Sequence, residues 1–122
     1  MKHIKHFENA DFVFYSNKEL TELPELNDNL KSLYCYNNIL TSLPKLPSKL
    51  KELQCWSNNL VTLPELPDTL EYLDCSSNNL TELPILPDSL KELHCSDNWL
   101  PYDNIEEYKE WYLNSITKKF NI

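Results

Sequence analysis

Three sets of residues in this chain have the types and spacing to do chemistry. Asp74, Ser76, His94 and Ser96 bring an acid, a base and two hydroxyls into one stretch. An acid that orients a histidine, which then activates a serine, is the constellation of acyl-transfer hydrolases. Cys35, Cys55, Cys75 and Cys95 recur every twenty residues. An even number of regularly placed thiols raises two readings, disulfides and tetrahedral zinc. His3 and His6 are the third set. Two imidazoles alone do not define a metal site, and solvated histidines are the expectation there.

The elements that must position these residues are set by a period. Leu33, Leu53, Leu73 and Leu93 stand in register with the cysteines, as do Asn38, Asn58, Asn78 and Asn98. The unit L-x-x-L-P-x-L-P-x-x-L-x-x-L-x-C-x-x-N-x runs, for example, from Leu60 to Asn79. A fixed short period predicts a solenoid of stacked coils, each hiding its apolar side against the next. Within one coil, Glu52-Leu53-Gln54-Cys55-Trp56 alternates with period two and reads as a short strand, with Leu53 and Cys55 inward. Ser57-Asn58-Asn59 ends it. The Asn58 amide can both donate to and accept from backbone groups that a turn exposes, so stacking predicts an amide ladder. Leu63-Pro64-Glu65-Leu66-Pro67 carries two prolines, which exclude an α-helix and favour an extended, polyproline-like return leg.

This architecture reweighs the chemistry. Inward cysteines on neighbouring parallel strands lie about 4.8 Å apart, whereas bridged Cβ atoms need about 3.8 Å. A straight row of thiols also cannot surround zinc tetrahedrally. The four cysteines are therefore expected to fill the core, with no metal and no cofactor. Asp74, His94, Ser76 and Ser96 fall on the outward side of strands, where side chains stand parallel instead of converging. The chain has no glycine to shape an oxyanion-binding turn. A hydrolase using Asp74, His94 and Ser76 or Ser96 is kept only as an alternative.

The 122 residues carry a formal charge of −8 and no arginine, and the lysines are scattered, which argues against nucleic acid. No apolar run is long enough to span a membrane, and Met1–His6 lacks the apolar stretch of a signal peptide, so a cytoplasmic location is the expectation. One domain is expected over 1–122. Residues 1–19 hold an N-terminal cap and a worn repeat, 20–100 four regular repeats, and 101–122 a capping helix. His3–Phe7 and Phe12–Tyr15, joined through Glu8–Asp11, are predicted to form a β-hairpin over the first edge. In the worn coil Ala10, Val13, Tyr15, Lys18 and Leu20 take the repeat positions, and Asn27 replaces a proline. A helix is predicted over about 104–119, capped by Asp103 or Asn104 with Glu106 and Glu107 in its first turn. Its stripe of Ile105, Tyr108, Tyr112 and Ile116, joined by Trp111, reads as a lid over Leu93, Cys95 and Leu100.

The unit L-P-x-L-P-x-x-L-x-x-L-x-C-x-x-N-x-L, matched from Leu20 to Leu100, resembles a leucine-rich repeat. It is similar to the short class found in bacterial type III secreted effectors, with their L-P-x-L-P hallmark. The inward cysteine and the Asn, Lys, Ile and Tyr bias also resemble leucine-rich repeat proteins of giant DNA viruses. The resemblance implies a curved solenoid with its parallel sheet on the concave face. It also implies protein binding, in a host cytosol if the origin is viral or effector-like. Effectors of the ubiquitin-ligase type carry a separate catalytic domain after the repeats, and residue 122 comes too soon for one, so ligase activity is not expected.

The outward positions form three columns. Phe14, Tyr34, Gln54, Asp74 and His94 follow the inward leucine or its equivalent; Ser16, Tyr36, Trp56, Ser76 and Ser96 follow the cysteine; Phe12, Ser32, Glu52, Tyr72 and Glu92 precede the leucine. The scaffold repeats and this face does not, which suits one irregular protein surface better than a repetitive ligand. Phe14, Tyr34, Tyr36 and Trp56 form an expected aromatic patch of the kind that carries binding energy. Gln54, Tyr72, Asp74 and His94 complete the expected contact set. The function expected is a non-catalytic protein-interaction module. The alternatives are an adaptor or decoy for a host ubiquitin-ligase pathway, the hydrolase, and weak self-association through an end or the aromatic patch.

Overall fold

The computed structural model describes residues 7–8 and 11–120. Strand β1 (Phe7–Glu8) is followed by five strands one coil apart, β2 (Phe12–Phe14), β3 (Ser32–Tyr34), β4 (Glu52–Gln54), β5 (Tyr72–Asp74) and β6 (Glu92–His94). Helix α1 (Ile105–Phe120) closes the order. The strands form one sheet in sequence order, parallel from β2 to β6, with β1 antiparallel on β2. The register advances by one repeat at every step, so Val13, Leu33, Leu53, Leu73 and Leu93 stand in a row. Like lies on like because a slip by one residue would turn the leucines out.

The core follows the repeat. Leu50, Leu53, Cys55 and Leu60 are fully buried, and Leu63 and Leu66 of the return leg are nearly so. The return leg forms neither helix nor strand. Its second proline acts through its carbonyl: Leu50, Leu70 and Leu90 donate to Pro47, Pro67 and Pro87 in tight turns. In the worn coil Asn27 takes that role, accepting from Leu30 N through its carbonyl and from Asn29 N through Oδ1 at 2.8 Å. An Asx turn thus replaces the proline's built-in φ.

Each coil is fastened to the preceding one by an asparagine. Asn58 Nδ2 donates to Cys35 O at 3.0 Å in the preceding coil and to Cys55 O at 3.1 Å in its own, while Oδ1 accepts from Leu40 N at 3.0 Å. Asn38, Asn78 and Asn98 repeat the pattern. These amides satisfy backbone groups that the turn takes out of the sheet and out of water. Reaching that position requires the preceding residue to be left-handed. Asn37, Ser57, Ser77 and Asp97 have φ of 54–58°. In a chain without glycine, residues bearing a Cβ accept this conformation at about 1 kcal/mol each.

At the N-terminal edge the antiparallel strand is present, but Glu8 pairs with Val13 and belongs to the strand, not to the turn. Val13 is the buried centre of β2, and pairing runs to its level. Residues 1–6, 9 and 10, including His3, His6 and Ala10, lie outside the described residues.

At the other end the last coil is finished by residues 101–104 before the helix begins. Cys95 N donates to Asp103 O at 3.0 Å, as Cys75 N donates to His94 O one coil earlier, so this loop stands in for a further strand. Tyr102 is 4 % exposed and packs on the core. Asn104 caps the helix, with Oδ1 accepting from Glu107 N at 2.9 Å, and Glu107 accepts in return from Asp103 N. The expected stripe engages the coil through Ile105 and Tyr108, beside Tyr102 and Trp111. No helix side chain is buried, and Tyr112, Leu113 and Phe120 are exposed. Beyond Tyr108 the stripe is covered only in part: Trp111 and Tyr112 are exposed, while Ile116 stays half-buried.

Asn58→Ala strands several buried backbone groups and should lower stability by about 3 kcal/mol in urea unfolding. Tyr102→Ala should cost about 3 kcal/mol, whereas Leu113→Ala should cost under about 0.5. Burial pushes the Cys35 and Cys95 thiols up to about 12 from 9.0, and the Cys55 and Cys75 thiols up as well. A thiol held protonated in the fold stabilises it fully below the unfolded value. As pH rises through 9 toward 12 the unfolded chain ionises first, and stability falls. A native chain at pH 8 should resist thiol alkylation that goes to completion in denaturant.

Candidate functional site

The side chains that flank each buried leucine project from the open face of the sheet, because strand residues alternate. In β2 to β5 these flanking positions are half-buried by their lateral neighbours, and in β6 they are exposed. Aligned register puts equivalent rings side by side. Phe14 and Tyr34 stack with centroids 4.5 Å apart and planes at 13°. Tyr36 and Trp56 stack at 4.3 Å and 6°. Phe12 meets Phe14 edge-on at 6.0 Å. The two stacked separations are close to the strand spacing, so those rings stand side by side in rows.

A polar relay runs beside the stacks. Trp56 Nε1 donates to Gln54 Oε1 at 3.3 Å, Gln54 Nε2 donates to Glu52 Oε2 at 2.7 Å, and Tyr34 Oη donates to Glu52 Oε1 at 3.0 Å. Glu52 thus holds both carboxylate oxygens in fixed positions. Burial, with Glu52 accepting the hydroxyl, raises the Tyr34 phenol above its ordinary value. Burial and the nearby Asp74, Glu92 and Glu52 raise Tyr72 likewise. Both phenols stay neutral donors at neutral pH.

The later half of the face is acidic and polar. His94 Nε2 lies 2.8 Å from Glu92 Oε2, and its ring rests 5.6 Å from that of Tyr72. Asp74 Oδ1 accepts from Ser76 N at 3.1 Å. Asp74 and His94 are register partners in the backbone, yet their side chains hold other groups. Among the described residues no hydrogen bond joins Ser76 Oγ or Ser96 Oγ to His94. The acid–base–nucleophile relay of a hydrolase is therefore not assembled by these residues.

The cysteines lie on the opposite, inward side, free and buried. Among the described residues no three His, Cys, Asp or Glu side chains are grouped to hold a metal ion. No helix among them is long and apolar enough to cross a membrane. A groove on the return leg, lined by Lys45, Leu46, Pro64, Leu66 and Pro67, faces away from the sheet.

Of the eight residues singled out from the sequence, the structure joins Phe14 to Tyr34, Tyr36 to Trp56, Gln54 to Trp56, and Tyr72 to His94; Asp74 turns to a backbone amide. Sequence reasoning passed over Glu52, the hub of the relay, and Phe12 and Glu92. Their column was legible, but a diagonal contact between Tyr34 and Glu52 depends on rotamers that spacing does not give. Trp99, 74 % exposed, was missed as well. It stands where Asn59 and Asn79 precede the next leucine, and that departure was the available signal.

Comparison with known proteins agrees with this geometry. The leucine-rich repeat family model matches residues 69–88. The leucine-rich repeat domain of a Shigella effector superimposes with a TM-score of 0.72 at 41 % identity, over 73 % of this chain and 41 % of that one. YopM from Yersinia enterocolitica WA-314 gives 0.53 at 32 % identity, over 75 % of this chain and 30 % of that one. This chain therefore spans less than half the length of either. No curated protein matches the sequence. The molecule is a leucine-rich repeat solenoid with a helical cap. Its short units resemble the repeats of bacterial effectors.

Proposed function

We propose that this chain is a non-catalytic module that binds a protein partner on the open sheet face, the concave side of such solenoids. One observation carries the reading: two aromatic stacks and a relay fixed by Glu52 stand on a varied face above an invariant scaffold. Rings already held side by side lose little freedom on binding, which is how Tyr and Trp come to dominate interfaces. Residues 20–100 supply the scaffold in this reading, and 1–19 and 101–122 its two ends, within a single domain. The face is broad and open, and suits a protein surface better than a small molecule, which needs a concave pocket.

The likeness to a Shigella effector domain supports a partner in the cytosol of a host cell. An adaptor or decoy role in a ubiquitin-ligase pathway is the more specific form of this reading. Ligase subunits among captured host proteins would favour it.

The test is capture from host-cell lysate followed by mass spectrometry, then binding of the captured partner to variants. Tyr36→Ala with Trp56→Ala should weaken that binding at least about thirtyfold, as loss of two interface anchors does. Circular dichroism and the urea midpoint check that the double variant is folded. Undiminished binding by a folded double variant rules out this face, and static light scattering of the free chain separates self-association.

A further inference from the structure

The ring stack on the sheet stops abruptly. Tyr36 covers one side of the Trp56 indole at 4.3 Å, and the next two positions of that column are Ser76 and Ser96. Strands are spaced about 4.8 Å apart, close to the thickness that one stacked planar group needs. The second face of the indole therefore looks along the sheet over small side chains, across a step that one flat group would fill.

The edge of that step is acidic. Asp74 lies on β5 beside Ser76, with Oδ1 on the Ser76 amide. Its other oxygen accepts no hydrogen bond from the described residues. Glu52 and Glu92 stand on neighbouring positions of the same face. The three outward columns contain no lysine, the chain contains no arginine, and the His94 imidazole is engaged by Glu92. A guest that supplies positive charge here meets no cation to repel it.

A planar cation satisfies both features at once. A guanidinium stacks on an indole face and donates parallel N–H bonds to a carboxylate. An ammonium offers charge without a plane, and a neutral ring or amide leaves Asp74 without a charged donor. We infer that the step beside Trp56 receives an arginine side chain of the partner protein, with its guanidinium on the free indole face and donating to Asp74. This deepens the reading of the sheet face as the binding surface and rests on it.

The test uses the intact chain, ¹⁵N-labelled, titrated with blocked tetra-arginine and tetra-lysine peptides of equal charge. The Trp56 indole N–H and the Ser76 amide should shift with tetra-arginine, and its affinity should exceed that of tetra-lysine by about fivefold or more. Asp74→Asn keeps an acceptor for the Ser76 amide, and it should bring the two peptides to equal affinity. Trp56→Leu should do the same. Equal affinities in the unaltered chain, or shifts confined to the return leg, would overturn the inference. If the captured partner needs Tyr36 and Trp56 but binds Asp74→Asn unchanged, the arginine site falls and the sheet-face reading stands. If it also ignores the double variant, both fall.

Discussion

The contact on which the rest depends is one asparagine amide set between two coils. A turn after a three-residue strand exposes carbonyls and an N–H that the sheet no longer pairs. Inside a solenoid those groups face protein, not water, and an unpaired buried polar group is costly. Asn58 meets them from both sides, donating to its own coil and to the one before it, and accepting from that earlier coil. Such a residue cannot be satisfied in an isolated coil. The amide ladder therefore ties local turn geometry to stacking, and stacking is what gives the leucines a core.

This dependence explains a division of labour. Inward positions are held to leucine and cysteine because each must fit above its own copy at the strand spacing. Burial also disfavours the thiolate, the form that reacts or binds metal. Residue types with catalytic potential have become packing material. Outward positions carry no such constraint, and they hold the ring stacks on the early half of the sheet and a more polar, acidic set on the later half.

The two ends show how a repeat array is finished with little material. At the start an antiparallel strand covers β2. At the finish a four-residue loop supplies Asp103 O as the acceptor that a further strand would offer Cys95 N, and buries Tyr102 against the core. The helix then needs only its first turns against the coil. Its length beyond Tyr108 adds exposed apolar surface at Leu113 and Phe120 that the core does not use.

The sequence by itself determined the solenoid. The twenty-residue period, the inward leucine and cysteine, the turn asparagine and the paired prolines each allow one local geometry, and all four agree. It also determined which residues face outward, because strand alternation is a rule of parity. Only the tertiary structure decided how those outward residues meet. Tyr34 reaching across to Glu52, Asp74 bending to Ser76 N instead of to His94, and Tyr102 entering the core beside the helix stripe all depend on side-chain rotamers. Those choices depend on how side chains share the space on the sheet and at its end, even where, as at Asp74 and Ser76, the partners are two residues apart.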